Sequence, residues 1–279
     1  MVKKILYYCN IRIIQQIVFT ILINPFFKGF YNGTIYQGPL KKICVPVLNC
    51  YSCPGAVVSC PIGTLQHMLV FYKYHFSFLL AGIIAFFGGI AGRWFCGHAC
   101  PFGLFQDLLM KLRRKKLSMP RYLSYSPWIV FILFILILPF LLQSPAFCKY
   151  VCPQGALQGG VILPLFNTYS LGILYVSKMV MLVGIIIASI LIARPFCRFI
   201  CPLGLLLGLC NKVSLFQMRV NKAACIECDA CLRACPTDVS IYKKPDSIAC
   251  IRCGECISVC PKKCITFTSA KEDTYEKSV

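Results

Sequence analysis

Residues 225–236 read CIECDACLRACP, and residues 250–261 read CIRCGECISVCP. Both stretches follow the spacing C-x2-C-x2-C-x3-C-P, in which three thiolates wrap one corner of an iron–sulfur cube and the fourth cysteine reaches a second cube. A structural zinc site is the alternative, but it needs four ligands rather than eight and has no use for the Cys-Pro endings. We therefore predict two [4Fe–4S] clusters, one on Cys225, Cys228, Cys231 and Cys260, the other on Cys250, Cys253, Cys256 and Cys235.

The composition separates this chain from most protein classes. Its 279 residues are 58% hydrophobic, and its mean hydropathy is +0.73. Only 14% of the residues are charged, against about 25% in ordinary soluble domains, and a disordered chain would need low hydrophobicity. The formal net charge of +20 lies entirely in residues 1–226, where Asp107 is the only acid. The basic groups there flank long apolar runs, which indicates membrane spans rather than a nucleic-acid partner.

Four apolar stretches are candidate membrane spans, because crossing ~30 Å of hydrocarbon takes about 20 mostly apolar residues. They are 13–27, 76–92, 127–143 and 171–193. A buried helix of a large soluble core is the alternative for each stretch. The sequence predicts an all-α membrane part with four transmembrane helices, at residues 1–215. A small α+β ferredoxin-like domain at 216–270 and a polar tail at 271–279 follow it.

The positions of basic residues predict the orientation of these spans. Lys3 and Lys4 precede the first span, and no small-residue cleavage pattern follows it, so we expect an uncleaved anchor. The loop 111–121 has the densest basic cluster, which predicts that it is cytoplasmic. Both termini are then cytoplasmic in a prokaryotic cell membrane, with 31–74 and 144–170 outside. The amphipathic stretch 102–116 is expected to lie along the inner surface.

A second cysteine pattern, C-x3-C-P-x-G, follows three of the spans. It occurs at 96–103, 148–155 and 197–204, and residues 60–63 repeat its latter half after the first span. The pattern indicates an internal duplication into two pseudo-repeats. Each C-x3-C pair supplies two ligands, so a cubane needs two pairs. We predict a third [4Fe–4S] cluster on the pairs that end on the cytoplasmic side: Cys96, Cys100, Cys197 and Cys201.

The outer cysteines leave several arrangements open. Cys148 and Cys152 form one pair, and their partners must come from Cys44, Cys50, Cys53 and Cys60. The duplication favours Cys60, but alanine occupies position 56, where its mate is expected, so Cys53 or Cys50 must substitute. We predict one outer [4Fe–4S] cluster, with the remaining thiols spare or joined in a disulfide. Two clusters with non-cysteine ligands and disulfides alone are the alternatives.

The remaining candidates are less specific. Cys9, Cys210 and Cys264 have no partners at ligand spacing, and Cys264 is expected to be a small core residue. His98, inside the first C-x3-C loop, could tune a cluster through hydrogen bonding or charge. No C-x-x-C-H run occurs, which excludes covalent c-type haem. A quinone, flavin or haem could bridge the ~30 Å between the two sides.

The C-x3-C-P pairs at span ends, followed by a two-cluster ferredoxin run, resemble the NapH/NosR-type membrane-bound polyferredoxins over nearly the whole chain. The resemblance implies single-electron transfer between quinol or a cytoplasmic carrier and a redox partner in or outside the membrane. We therefore expect an electron-transfer subunit rather than a stand-alone catalyst. A metal-reducing or oxidoreductase-assembly factor and a redox-sensing regulatory protein are the alternatives.

Overall fold

The computed structural model describes residues 2–71, 78–112, 117, 121–166 and 172–269. The polar tail 271–279, His75, and the basic residues 113–116 of the inner loop lie outside the described residues. The first half of the membrane part contains α1 (Val2–Ile23), α2 (Lys28–Asn32), a 3-10 turn (Pro39–Lys42), α3 (Pro61–Phe71), α4 (Phe78–Ala91), α5 (Trp94–His98) and α6 (Pro101–Met110).

The second half repeats this order with more irregular helices. It contains a 3-10 turn (Arg121–Tyr125), α7 (Ser126–Val130), a π-helix (Phe131–Ile137), α8 (Leu138–Leu142), a π-helix (Phe147–Val151), α9 (Pro153–Gly155), a π-helix (Ala156–Ile162), α10 (Leu163–Phe166), α11 (Ile173–Leu191), α12 (Pro195–Phe199), α13 (Pro202–Leu209) and a 3-10 turn (Cys210–Lys212). The C-terminal domain contains β1 (Phe216–Val220), α14 (Ala230–Ala234), α15 (Glu255–Val259) and β2 (Ile265–Ser269).

Two helices are long and apolar enough to cross a membrane. They are the continuous helix Leu123–Leu142 and helix α11, Ile173–Leu191. Two shorter apolar helices, Ile11–Ile23 and Phe78–Ala91, lie in the other two predicted stretches. Each of the four predicted stretches therefore contains a helix, and the four-span arrangement stays a prediction.

Every C-P-x-G element begins a helix, and this shared geometry shows the internal duplication. The proline is the first helical residue each time, at Pro61, Pro101, Pro153 and Pro202. Proline suits this position because its missing N–H has no partner in the first helical turn and its φ angle is already helical. The preceding cysteine has extended backbone at Cys100, Cys152 and Cys201, as an N-cap residue requires.

The C-terminal domain closes on a two-stranded antiparallel sheet formed by its first and last elements. Strands β1 and β2 pair with Met218 opposite Phe267. Met218 and Ile265 are buried in the small core of this domain, against Ile241. The sheet thus brings the chain ends of the domain together, and it leaves the two cysteine runs and their helices α14 and α15 side by side.

Helix α6 is a buried part of the helix bundle. The sequence predicts that the amphipathic stretch 102–116 lies along the inner surface, but α6 packs against both α1 and α11. Phe102 and Gln106 are fully buried, and Asp107 is 2% exposed. The helix is drawn inward because Asp107 has two buried cationic partners from other helices.

Several hydrogen bonds fix the C-terminal domain to the membrane part. Arg93 donates through Nη1 to the Ile248 carbonyl at 2.8 Å. Asn211 donates through Nδ2 to the carbonyls of Ser247 and Cys250, each at 2.9 Å. Ile251 is 1% exposed and belongs to the hydrophobic core of the membrane part. The second cysteine run is therefore held directly against the apolar helix bundle.

Candidate metal centres

The first predicted cysteine set of the C-terminal domain surrounds one cavity. Cys225, Cys228, Cys231 and Cys260 line an opening of about 350 Å³. This grouping joins three cysteines of the first run with the last cysteine of the second, as predicted from the spacing. Cys264 also lines the cavity, and its Sγ lies 3.4 Å from that of Cys260. It is buried in the domain core, as expected, but the cysteine spacing does not predict its closeness to this set.

The second predicted set surrounds a separate cavity of about 330 Å³, lined by Cys235, Cys250, Cys253 and Cys256. The backbone N–H of Val239 donates to the Cys235 Sγ at 3.4 Å, and the Thr237 hydroxyl lies at the same distance. Within the described ranges, no three His, Cys, Asp or Glu side chains converge on a position for a single ion. The structure thus groups all eight cysteines as predicted, and their ligation of clusters stays a prediction.

Both cysteine runs bend through the same left-handed backbone positions. The matching pairs are Glu227 and Arg252 (φ 50° and 52°), Asp229 and Gly254 (55° and 78°), and Asp238 and Lys263 (50° and 50°). A non-glycine residue in this conformation costs roughly 1–2 kcal/mol. Turns of this kind aim successive backbone N–H groups into a concave surface that binds anions. Such strain, repeated in both runs, fits an anionic cluster in each cavity.

The predicted inner set comes together at the junction with the C-terminal domain. Cys96, Cys100, Cys197 and Cys201 are each 5–7% exposed. The Cys201 thiol interacts electrostatically with the other three. Burial raises the pKa of Cys100 to about 11 and that of Cys197 to about 12, so these thiols are protonated at neutral pH unless a metal holds them deprotonated.

Helix N-termini point at the inner thiols. The Gly204 N–H donates to the Cys201 Sγ at 3.3 Å, and the Gly103 N–H makes the equivalent bond to Cys100. A β-carbon at position 103 would lie 2.9 Å from the Cys96 carbonyl oxygen, so this site requires glycine. Backbone donors and the positive end of a helix dipole stabilise thiolates. The C-P-x-G pattern is thus explained by a helix N-terminus: cysteine is the N-cap residue, proline is the first helical residue and glycine is the third.

Two arginines cross between the pseudo-repeats at this inner set. Arg93 donates to the carbonyl of Cys197, and Arg194 donates through Nη1 to the carbonyl of Cys96 at 2.9 Å. Each arginine precedes the first cysteine of its own half by three residues and bonds to the first cysteine of the other half. The repeated R-x-F-C at 93–96 and 194–197 is the sequence signal for this pair of arginines.

A buried ion-pair network lies beside the inner set. Asp107 contacts Arg12 at 3.0 Å and Arg194 at 2.5 Å, and Gln16 donates to it at 3.2 Å. Burial alone would raise the pKa of Asp107, but the two guanidinium groups outweigh it and hold that pKa below its usual value. Arg12 continues the network to Glu255 at 2.8 Å, directly before the cluster cysteine Cys256. The network therefore joins three parts of the bundle to the C-terminal domain.

Three further polar side chains within the C-x3-C loops have different surroundings. His98 stacks on Trp94 with ring centroids 4.3 Å apart. Burial lowers the pKa of His98 to about 4, so it is neutral at physiological pH and does not act there through charge. Arg198 pairs with Asp238 at 2.6 Å, and Lys149 lies over the Tyr150 ring. Neither side chain makes a described bond to a cysteine.

The outer cysteines separate into a group and two outliers. Cys50, Cys60, Cys148 and Cys152 interact electrostatically with one another. Cys44 forms a β-bridge with Ser59 and interacts electrostatically with one member of this group, Cys60. Cys53 likewise interacts with one member, Cys50, and its thiol accepts backbone hydrogen bonds from Gly55 and Ala56. No disulfide joins any cysteine whose side chain the structure describes. The side chain of Cys9 is outside this description.

Comparisons with known families agree with these cysteine sets. The family model of the 4Fe-4S binding domain matches residues 74–120, 126–166 and 176–222. The model of the 4Fe-4S dicluster domain matches residues 217–261. The three segments of the first match include the three C-x3-C-P elements, and the second match includes both ferredoxin-type runs. The cofactors of this chain are therefore [4Fe–4S] clusters, and its C-terminal part is a ferredoxin-like domain.

Two curated archaeal proteins are similar to this chain. The uncharacterized protein MJ0749 of Methanocaldococcus jannaschii is 31% identical over 206 residues, which cover 70% of this chain and 71% of that protein. The uncharacterized protein MJ0750 of the same organism is 35% identical over 167 residues, 56% of this chain. This second match spans 64% of the length of MJ0750. No solved structure matches the chain.

Proposed function

We propose that this chain, which belongs to the family of MJ0749 and itself contains 4Fe-4S binding domains, is a membrane-embedded electron-transfer protein. It exchanges single electrons with a cytoplasmic carrier or quinol on one side and with a partner in the membrane or outside the cell on the other. The clusters supply one-electron chemistry, and the chain supplies their positions and charge environment. The resemblance to NapH/NosR-type polyferredoxins supports the same role.

The exposed apolar surface of the helices supports a membrane location. Ile129 and Leu141 of the helix Leu123–Leu142 are 63% and 67% exposed, and Val180 of α11 is 68% exposed. Leu22 of α1 and Phe86 of α4 are likewise 63% and 62% exposed. Soluble proteins rarely leave such contiguous apolar surface in water. We therefore assign four spans with both termini on the cytoplasmic side, so that the inner set and the ferredoxin-like domain share that side.

The observation that carries the proposal is the order of the three cysteine sets. Cys228 of the first ferredoxin-type set is exposed, and its neighbour Ile226 is 58% exposed. Cys253 of the second set packs against the core of the membrane part. A β-carbon on Gly97, inside the inner C-x3-C loop, would lie 2.7 Å from the Ile251 carbonyl. The second set therefore lies between the exposed set and the inner set, as expected for a relay that starts at a cytoplasmic carrier.

The experiment uses the full-length protein, purified without oxygen and reconstituted into liposomes that enclose ferricyanide. External dithionite should reduce the enclosed ferricyanide faster than in protein-free liposomes. Cys197→Ala should abolish this gain and remove about four iron atoms per chain, the content of one cubane. Cys210→Ala is the matched control, because Cys210 only bonds to the Leu206 carbonyl at 3.6 Å. Wild-type transfer rates in Cys197→Ala would refute the proposal.

A further inference from the structure

We infer that Cys50, Cys60, Cys148 and Cys152 form a fourth [4Fe–4S] site on the side opposite the inner set, with Cys50 taking the place of Ala56. This inference rests on the proposed function, because a relay across the membrane needs a carrier on the outer side. It resolves what the spacing leaves open, namely which cysteine completes the outer quartet.

The four cysteines come from both pseudo-repeats, and a sulfur of each half lies close to the C-P-x-G motif of the other half. A β-carbon on Gly155, next to the second-half cysteine pair, would lie 3.5 Å from the Cys50 Sγ. A β-carbon on Gly63, in the first-half motif, would lie 3.9 Å from the Cys148 Sγ. The glycine of each motif therefore faces a sulfur of the opposite half. Each half contributes two thiols, as it does in the inner set.

The outer thiols also receive the backbone donors seen at the inner set. Cys60 accepts hydrogen bonds from the N–H groups of Gly63 and Ile62, and Cys152 accepts them from Gly155 and Gln154. These are the first N–H groups of two helices, as at Cys100 and Cys201. The two sides of the protein thus present cysteines in the same capped geometry, and this geometry favours thiolates.

Matching glutamines connect the halves on both sides. Gln66 accepts a hydrogen bond from the backbone N–H of Cys148 at 3.1 Å. Gln106, at the equivalent position of the inner motif, accepts one from the Cys197 thiol at 2.9 Å. Each glutamine lies six residues after a first-half Cys-Pro cysteine and bonds to the first cysteine of a second-half pair. The outer set is therefore constructed on the same plan as the inner set.

Unpaired donors and positive charge suit an anionic cluster at this place. Asn49 is 1% exposed, its backbone N–H donates to the Cys60 thiol, and its side-chain Nδ2 has no hydrogen-bond partner. Cluster sulfurs accept hydrogen bonds and would satisfy such a donor. Lys41 and Lys178 both interact electrostatically with Cys50. A cubane with four thiolates has a net charge of about −2 when oxidised, which two lysines would balance.

Single cysteine variants test the quartet, with two natural controls nearby. Cys50→Ala is compared with Cys44→Ala and Cys53→Ala in full-length protein purified without oxygen, by iron and acid-labile sulfide per chain and by EPR after reduction. Cys50→Ala should lose about four iron atoms and one cluster signal. Both controls should keep wild-type content, because Cys44 and Cys53 lie outside the quartet. An unchanged ferredoxin-type signal in each variant shows that the chain has folded.

Three results would overturn the inference. Loss of iron in Cys53→Ala but not in Cys50→Ala would assign a different quartet. Unchanged iron in all three variants would exclude a cluster on Cys50, and a disulfide detected by mass spectrometry would then account for the outer thiols. If the wild-type protein contains only three clusters, and one of them is the inner cluster that Cys197→Ala removes, the outer site is refuted and the proposed function is not. Failure of the proposed function would instead be seen as a missing inner cluster.

Discussion

Asp107→Asn removes the carboxylate that faces two buried guanidinium groups. Its partners Arg12 and Arg194 are 3% and 0% exposed, so water cannot replace the lost charge. An asparagine keeps one oxygen acceptor but turns an N–H₂ group toward one of the arginines. Breaking a buried ion pair by neutralising one partner costs about 3–5 kcal/mol, because the other charge is left uncompensated. We expect the variant to lose stability by this amount.

Thermal unfolding in detergent measures the effect, with Asp238→Asn as the matched control. Asp238 pairs with Arg198 at the surface and is 34% exposed, so its loss should cost less than about 1 kcal/mol. For a chain of this size 1 kcal/mol corresponds to about 2–4 °C. The apparent Tm of Asp107→Asn should therefore fall by roughly 10 °C, and that of the control by less than about 4 °C. Equal Tm values for the two variants would show that the buried network does not stabilise the bundle.

Three further predictions concern the route between cysteine sets. Arg93→Gln should lower the reduction potential of the inner cluster by on the order of 100 mV, because a positive charge is lost close to an anionic site. Potentiometric EPR measures this potential, and a shift no larger than that in Arg198→Gln would contradict the prediction. Gly97→Ala should slow electron transfer into the liposomes at least several-fold, because the new β-carbon would clash with the Ile251 carbonyl. Gly184→Ala should leave the rate unchanged, because a β-carbon there has no atom within 4 Å. Cys231→Ala should remove one ferredoxin-type signal and leave the inner signal, as EPR spectra can show.

The sequence predicts local features of this protein well, because they depend on short spacings. The two C-x2-C-x2-C-x3-C-P runs predict both ferredoxin-type cysteine groups, and the repeated C-P-x-G pattern predicts the internal duplication. Helical positions of the apolar stretches follow from composition in the same way. These features depend only on contacts between residues within about a dozen positions of each other. The ferredoxin-type groups also require each of the two neighbouring runs to contribute its last cysteine to the other's group.

Long-range pairings were beyond such reasoning. Asp107 was recognised as the only acid of the membrane part, yet its partners Arg12 and Arg194 lie 95 and 87 residues away. Nothing in the spacing indicates which of the 21 basic residues in 1–226 would reach it. The assignment of Cys50 rather than Cys53 to the outer set depends on a long-range contact in the same way. Both lie in one short loop, and only the packing of that loop against Gly155 separates them.

A buried excess of positive charge lies where the inner set meets the second ferredoxin-type set. Four arginines there are at most 4% exposed: Arg12, Arg93, Arg194 and Arg252. Two carboxylates, Asp107 and Glu255, face them. Buried charges without compensation are costly, so two positive charges remain to be balanced. The two neighbouring cubanes supply about −4 in total when oxidised, which more than offsets this excess.

Iron removal should therefore loosen this junction, beyond the direct loss of iron–thiolate bonds. After chelation, the released cysteines become neutral thiols, and the buried arginines lose their compensation. Hydrogen exchange of the amides in 248–253 should accelerate at least tenfold, whereas exchange in the middle of α11 should not change. Raising the salt concentration should slow the exchange of the iron-free junction again, because ions screen the repulsion as they enter. Salt-independent exchange would mean that the metal bonds alone hold the two parts together.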